Sequence, residues 1–161
     1  MAIPEDQLTT WSKPGANDTS ATTYGIIKNA LDGTDTGDQK FSVFLQGSYG
    51  NSTNVIRDSD VDVVMQLNTV HYRDTTRLVP PQLAAYREVY KDAVYTYADF
   101  KKSVEAQLNK KFQSYIEPGK KAVMIKGDNS GRRNADVLIA AKFRRYHTFY
   151  SLGNETYDEG L

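Results

Sequence analysis

A chain of 161 residues is long enough for one domain with a real hydrophobic core, and 39% apolar with 25% charged residues is ordinary for a soluble globular protein. The absence of cysteine excludes disulfides and thiolate metal sites, and no apolar run approaches the roughly 20 residues that cross a bilayer. The formal net charge of zero hides an asymmetry: residues 1–100 carry 8 Lys/Arg against 13 Asp/Glu, residues 101–145 carry 12 against 4, and the last 16 residues add three acids. A basic segment attracts polyphosphate or nucleic acid, although a solvated helix face and hairpin account for it equally well.

The opening MAIPEDQLTTW has neither a basic start nor an apolar core, so it does not read as a signal peptide. The sequons at Asn17, Asn51 and Asn154 are then chance matches, and the expected compartment is the cytoplasm. Leu8 and Trp11 suit a short helical turn broken by Pro14-Gly15, with Trp11 as a packing anchor. A helix is predicted over residues 21–32, capped by Asp18, Thr19 or Ser20, with Tyr24, Ile27 and Leu31 on one stripe and Gly33 as its stop. The loop that follows, DGTDTGD, lacks the closing Glu of a calcium-binding loop and is read as a connection.

Residues 41–46 read as a strand with Phe41, Val43 and Leu45 on one face. Gly47-Ser48 and a turn-rich excursion lead to a second strand over residues 59–67. NTVHYRDTTRLVPP is read as a loop, with His71 as a surface residue. Residues 82–113 have helical periodicity, and Thr96 with Asp99 forms a capping-box pattern that restarts the helix before Phe100, Val104 and Leu108; one kinked helix is the rival reading. The tyrosines at 86, 90, 95 and 97 are placed as packing residues. Pro118-Gly119 is a turn. Residues 121–126 and 134–140 then form a hairpin across GDNSGRR, and the segment after Lys142 is read as a connection.

The chemistry concentrates in DSDVDVVMQL. In a strand, Asp60 and Asp62 project from one face while Val61 and Val63 turn to the other. At about 4 Å, two such carboxylates repel by roughly 4 kcal/mol at an effective dielectric of about 20. A shared proton or divalent cation relieves this, and an oxygen-rich site suits Mg²⁺ or Mn²⁺. Gly47 lets the backbone approach a phosphate closely, and Ser48 adds a hydroxyl. Asp136 lies in an apolar strand and needs a cation or a donor, with a salt bridge to Arg132 or Arg133 as the structural alternative. Asp128 is a lesser candidate, because its hairpin turn explains it.

An apolar strand, Gly-Ser, roughly ten residues and Asp-x-Asp on a strand resemble the nucleotidyltransferase superfamily related to DNA polymerase β. More narrowly, GSYGNSTN with DSDVDVVMQL is similar to the bacterial cGAS/DncV-like nucleotidyltransferases, which make cyclic or linear oligonucleotide second messengers in phage defence. The resemblance implies an α/β (α+β) fold with a mixed central sheet flanked by helices. It implies that residues 1–161 are a catalytic domain from which a C-terminal helical lobe is missing. It makes Asp60, Asp62 and Asp136 the catalytic and metal-holding residues for Mg²⁺ or Mn²⁺, and Gln46, Gly47 and Ser48 the nucleotide-binding ones. The implied partners are NTPs, ATP or GTP among them, with room for a regulatory protein, no membrane and no indicated nucleic-acid activator. Transfer to tRNA, protein or an antibiotic uses the same three aspartates. A non-catalytic nucleotide-binding or interaction domain, or an inactive fragment, is the alternative from another class.

Overall fold

The computed structural model describes residues 15–46, 60–119 and 121–161. The Trp11 segment, Gly47, Ser48 and the excursion up to residue 59 lie outside the described residues. The elements are α1 (Gly15–Asp32), β1 (Phe41–Leu45), β2 (Val61–Asp74), α2 (Pro80–Val89), α3 (Tyr97–Phe112), a 3₁₀ turn (Gln113–Tyr115), β3 (Ile116–Pro118), β4 (Val123–Ile125), β5 (Ala135–Ser151) and β6 (Asn154–Gly160). The described residues fall into two compact units, one built from residues 36–42, 66–102 and 140–161 and the other from the remainder. The strand order is β1-β2-β5-β4-β3, with β6 also pairing β5.

In the unit that holds α1, the Val61 N–H donates to the Asn134 carbonyl at 2.9 Å. This bond sets the starts of β2 and β5 side by side, so the two strands run parallel. β5 pairs antiparallel with β4, Asp136 opposite Met124, and β4 pairs antiparallel with β3. The sheet is therefore mixed, as expected. Ile27 and Leu31 of α1 are wholly buried, and so are Val104 and Leu108 of α3. α1 begins at Gly15 rather than at residue 21, so Asp18, Thr19 and Ser20 lie inside the helix and do not cap it. Interior Thr and Ser are usually poor helix residues because their hydroxyls compete for backbone groups. Here the Thr23 hydroxyl bonds the Thr19 carbonyl at 2.8 Å within the helix. Gly33 does follow the end of α1, where a Cβ would stand 2.8 Å from the terminal amide of Gln107. That amide of α3 donates to the Ala30 carbonyl at 2.8 Å, satisfying an acceptor at the helix end.

Residues 82–113 resolve into two helices rather than a kinked one. Pro80 and Pro81 open α2, where a missing N–H costs nothing. Thr96 and Asp99 form the capping box: the Thr96 N–H and hydroxyl donate to the Asp99 carboxylate at 2.9 and 2.7 Å, and the Asp99 N–H returns to Thr96 Oγ1 at 3.3 Å. Thr96→Ala should lower stability by about 1 kcal/mol, read as a shifted urea midpoint with an unchanged slope. Lys110 and Lys111 close α3 at its negative dipole end, exposed as a solvated face requires.

The other unit corrects two expectations. β2 continues to Asp74, so His71 is a half-buried strand residue, not a loop one. Its ring meets Tyr90 edge-on at 5.7 Å and Tyr146 at 6.5 Å. Burial, reinforced by Arg144 and Arg73, pushes its pKa down. β5 likewise runs on to Ser151 and turns back through Gly153 (φ +79) as β6, where a connecting segment was expected. Tyr86, Tyr146, Phe149 and Leu78 form the buried cluster, joined by Leu83 and Tyr90. The tyrosines at 86 and 90 are packing residues, as read. Lys142 and Arg144 both pair with Glu159, and Arg145 pairs with Asp74, so most of the charge of this part of the basic segment is paired within the fold.

Candidate active site

Three strand ends meet at the site. The Gln46 N–H, just past β1, donates to the Asp62 carbonyl at 2.9 Å, which ties the entry of the Gly47-Ser48 segment to the Asp-x-Asp strand. The bond from Val61 to Asn134 places Asp62 beside Asp136 on the neighbouring parallel strand. Alternation does the rest. Val61, Val63, Ala135 and Val137 are wholly buried on one face of the sheet, so Asp62 and Asp136 project from the other, half-buried, with Asp60 exposed just before β2. Asp62, Asp136 and Gln46 line a cavity of about 460 Å³ whose other walls are Val63, Val64, Ala122 and Leu138.

The electrostatics of the pair follow from this placement. Burial raises the pKa of Asp62, and the charges of Asp136 and Asp60 raise it further. Burial raises that of Asp136 as well, with Asp60 adding to the effect. A guanidinium beside Asp136 would act in the opposite sense. Arg132 is instead held by Asp128 at 3.2 Å and lies over the rings of Phe112 and Tyr115 at 5.1 and 4.9 Å. The Arg133 amide and Nε bond Thr23 and Thr19, each at 3.0 Å. Asp128 does turn work: its carboxylate accepts from the Ser130 N–H and hydroxyl, which lowers its pKa.

The structure thus brings Asp62, Asp136 and Gln46 together, with the Asp60 charge acting on both carboxylates. Among the described residues no three His, Asp or Glu side chains are gathered closely enough to coordinate an ion as they stand. The donor set nevertheless fits a hard divalent cation: carboxylate oxygens only, mutually repelling and partly desolvated, at the wall of an open cavity. Sequence reasoning missed Val64, Ala122 and Leu138, which line the cavity as ordinary apolar residues and carry no signal of their own.

No protein-family model matches the chain. Among curated proteins it is 38% identical over 147 residues to the cyclic UMP-AMP synthase of Rhodothermus marinus, covering 91% of this chain and 48% of that protein. It is 32% identical over 160 residues to the cyclic dipurine nucleotide synthase of Elizabethkingia meningoseptica, covering 96% and 53%. Among solved structures, the R. marinus CdnE c-UMP-AMP synthase with Apcpp and Upnpp superposes with a TM-score of 0.72 at 32% identity, over 99% of this chain and 56% of the other. The E. meningoseptica CdnE cyclic dinucleotide synthase with GTP and Apcpp gives 0.61 at 27%, over 98% and 55%. The mixed sheet with its flanking helices, which superposes on these structures, defines the polymerase β-like nucleotidyltransferase fold. Within that class the chain is similar, over most of its own length, to bacterial CdnE cyclic nucleotide synthases, and it spans about half the length of the curated relatives it matches.

Proposed function

We propose that this chain carries the catalytic carboxylates of an enzyme that joins NTPs into a cyclic or linear oligonucleotide second messenger, in cytoplasmic phage-defence signalling. The carrying observation is the placement of Asp62 and Asp136 side by side at one cavity, each with its pKa raised by burial and by neighbouring carboxylates. The relatives support the choice of reaction, since those cited are named as cyclic nucleotide synthases. Among the described residues no helix is long and apolar enough to cross a membrane.

Asp60, Asp62 and Asp136 would hold Mg²⁺ or Mn²⁺. When bound, the metal neutralises charge at the donor triphosphate and makes the attacking ribose hydroxyl more acidic. Asp60 and Asp62 serve the triphosphate side, and Asp136 with them serves the hydroxyl side. Gln46 lines the cavity, and Gly47 and Ser48, next in sequence, are assigned to the phosphates. No histidine is needed: His71 packs against tyrosines, and His147 lies between Arg77 and Asp158, each 3.0 Å away.

Incubation with all four NTPs and Mg²⁺ or Mn²⁺, phosphatase treatment and mass analysis test this reading. A phosphatase-resistant oligonucleotide is expected, absent from the Asp60→Ala/Asp62→Ala variant. Nucleotide appearing only on added tRNA or protein would replace the second-messenger reading with acceptor modification.

A further inference from the structure

The entry to β5 is bonded to α1 by residues that do not line the cavity. Thr23 of α1 is wholly buried, and its hydroxyl is bonded in both directions: it donates to the Thr19 carbonyl at 2.8 Å and accepts the Arg133 amide at 3.0 Å. The Arg133 Nε adds a bond to Thr19 Oγ1 at 3.0 Å. The next residue, Asn134, offers its backbone carbonyl to Val61 at 2.9 Å and its side-chain oxygen to the Gly127 N–H at 2.8 Å. An unbroken set of hydrogen bonds thus runs from α1 through Arg133-Asn134 to Val61. It ends beside Asp62 on one strand and just before Asp136 on the other.

Carboxylates that repel one another need a frame that holds their strands in place, and a buried hydroxyl bonded in both directions has one orientation only. We infer that Thr23 is a positioning residue: through Arg133 and Asn134 it sets the separation of Asp62 and Asp136. The inference rests on the reading of those aspartates as metal-holding groups, and it adds to that reading a residue on a helix that never touches the ion. Valine at position 23 keeps the shape but gives the Arg133 amide no acceptor, whereas serine keeps the acceptor.

The test is a Mn²⁺ titration of the chain followed by electron paramagnetic resonance, with a thermal melt of each variant. Thr23→Val should weaken Mn²⁺ binding about tenfold, the scale at which groups orienting metal ligands act. Thr23→Ser should stay within about twofold of wild type. Ile27→Val trims the same helix without touching a hydroxyl, and it should also leave Mn²⁺ binding unchanged. If Thr23→Val does not fold, Thr19→Val, which removes the Arg133 Nε acceptor, should still weaken Mn²⁺ binding severalfold. Wild-type Mn²⁺ binding in the folded valine variant, or an equal loss in Ile27→Val, overturns the positioning role; so does unchanged binding in Thr19→Val where Thr23→Val is unfolded. Equal Mn²⁺ binding in wild type and Asp62→Asn overturns the metal reading itself, and the positioning role with it.

Discussion

Asp62→Asn should abolish nucleotidyl transfer while making the metal-free chain more stable. Asn keeps the shape of Asp and one acceptor oxygen but removes the charge that a cation requires. A loss of at least about 10³-fold in kcat is expected, roughly 4 kcal/mol of transition-state stabilisation. Stability moves the other way, because the Asp62 carboxylate is partly desolvated and repelled by Asp136 and Asp60. Each kcal/mol of repulsion removed should raise the melting temperature by roughly 2–4 °C in a chain of this size. The pH dependence gives a second reading of the same effect. A carboxyl whose pKa is raised on folding binds its proton more tightly in the native state. Its contribution is therefore fully present below the unfolded value of 3.8 and is lost as pH rises through the raised folded value. The metal-free chain should lose stability from this pair over that acidic window, and Asp62→Asn should flatten the slope. Asp74 has the opposite sign: bonds from Thr76 and Arg145 hold its pKa at about 2, so its contribution is present above 3.8 and lost as pH falls toward 2.

Phe149→Ala should be the most damaging packing change. Phe149 is wholly buried, with ring centroids 5.2 Å from Tyr86, 5.8 Å from Tyr90 and 6.1 Å from Tyr146. Removing a buried Phe side chain costs about 3–5 kcal/mol, against a total stability of about 5–15 kcal/mol for a typical domain. Urea unfolding followed by circular dichroism should show the midpoint lowered by roughly 2 M, taking a slope of about 2 kcal/mol/M. Tyr150, next along β5 but largely exposed, should tolerate alanine within about 0.5 kcal/mol. Equal effects at the two positions would contradict the assignment of this cluster as the unit's core.

What was legible in the sequence was local. Asp60-Val61-Asp62-Val63 declares its two faces by period alone, and the Thr96–Asp99 box states its own helix start. The site extended that far because Asp136 sits in an apolar strand where a carboxylate needs a reason. The far half of β2 was illegible because its polar residues are satisfied by β1 and the residues just before it: Asn68 reaches Ser42 at 2.7 Å and Thr69 reaches Gln39 at 2.6 Å. Residues that look like a loop in isolation are there a solvated sheet face. The extension of β5 was hidden for a related reason. Lys142, Arg144 and Arg145 read as exposed charge until Glu159 and Asp74 are seen to hold them. The support from Thr23 to Arg133 was beyond reach, since nothing in the sequence couples residues so far apart.

The most direct test of the central claim is calorimetric binding of ATP, GTP, UTP and CTP to the chain, with Mg²⁺ and with the metal removed by chelation. At least one NTP should bind only when Mg²⁺ is present, and Asp62→Asn, shown to be folded by its melting curve, should lose that binding. NTP affinity indifferent to metal and to Asp62, or no affinity in either condition, would contradict a metal-dependent nucleotidyltransferase site and leave an interaction domain that keeps the fold.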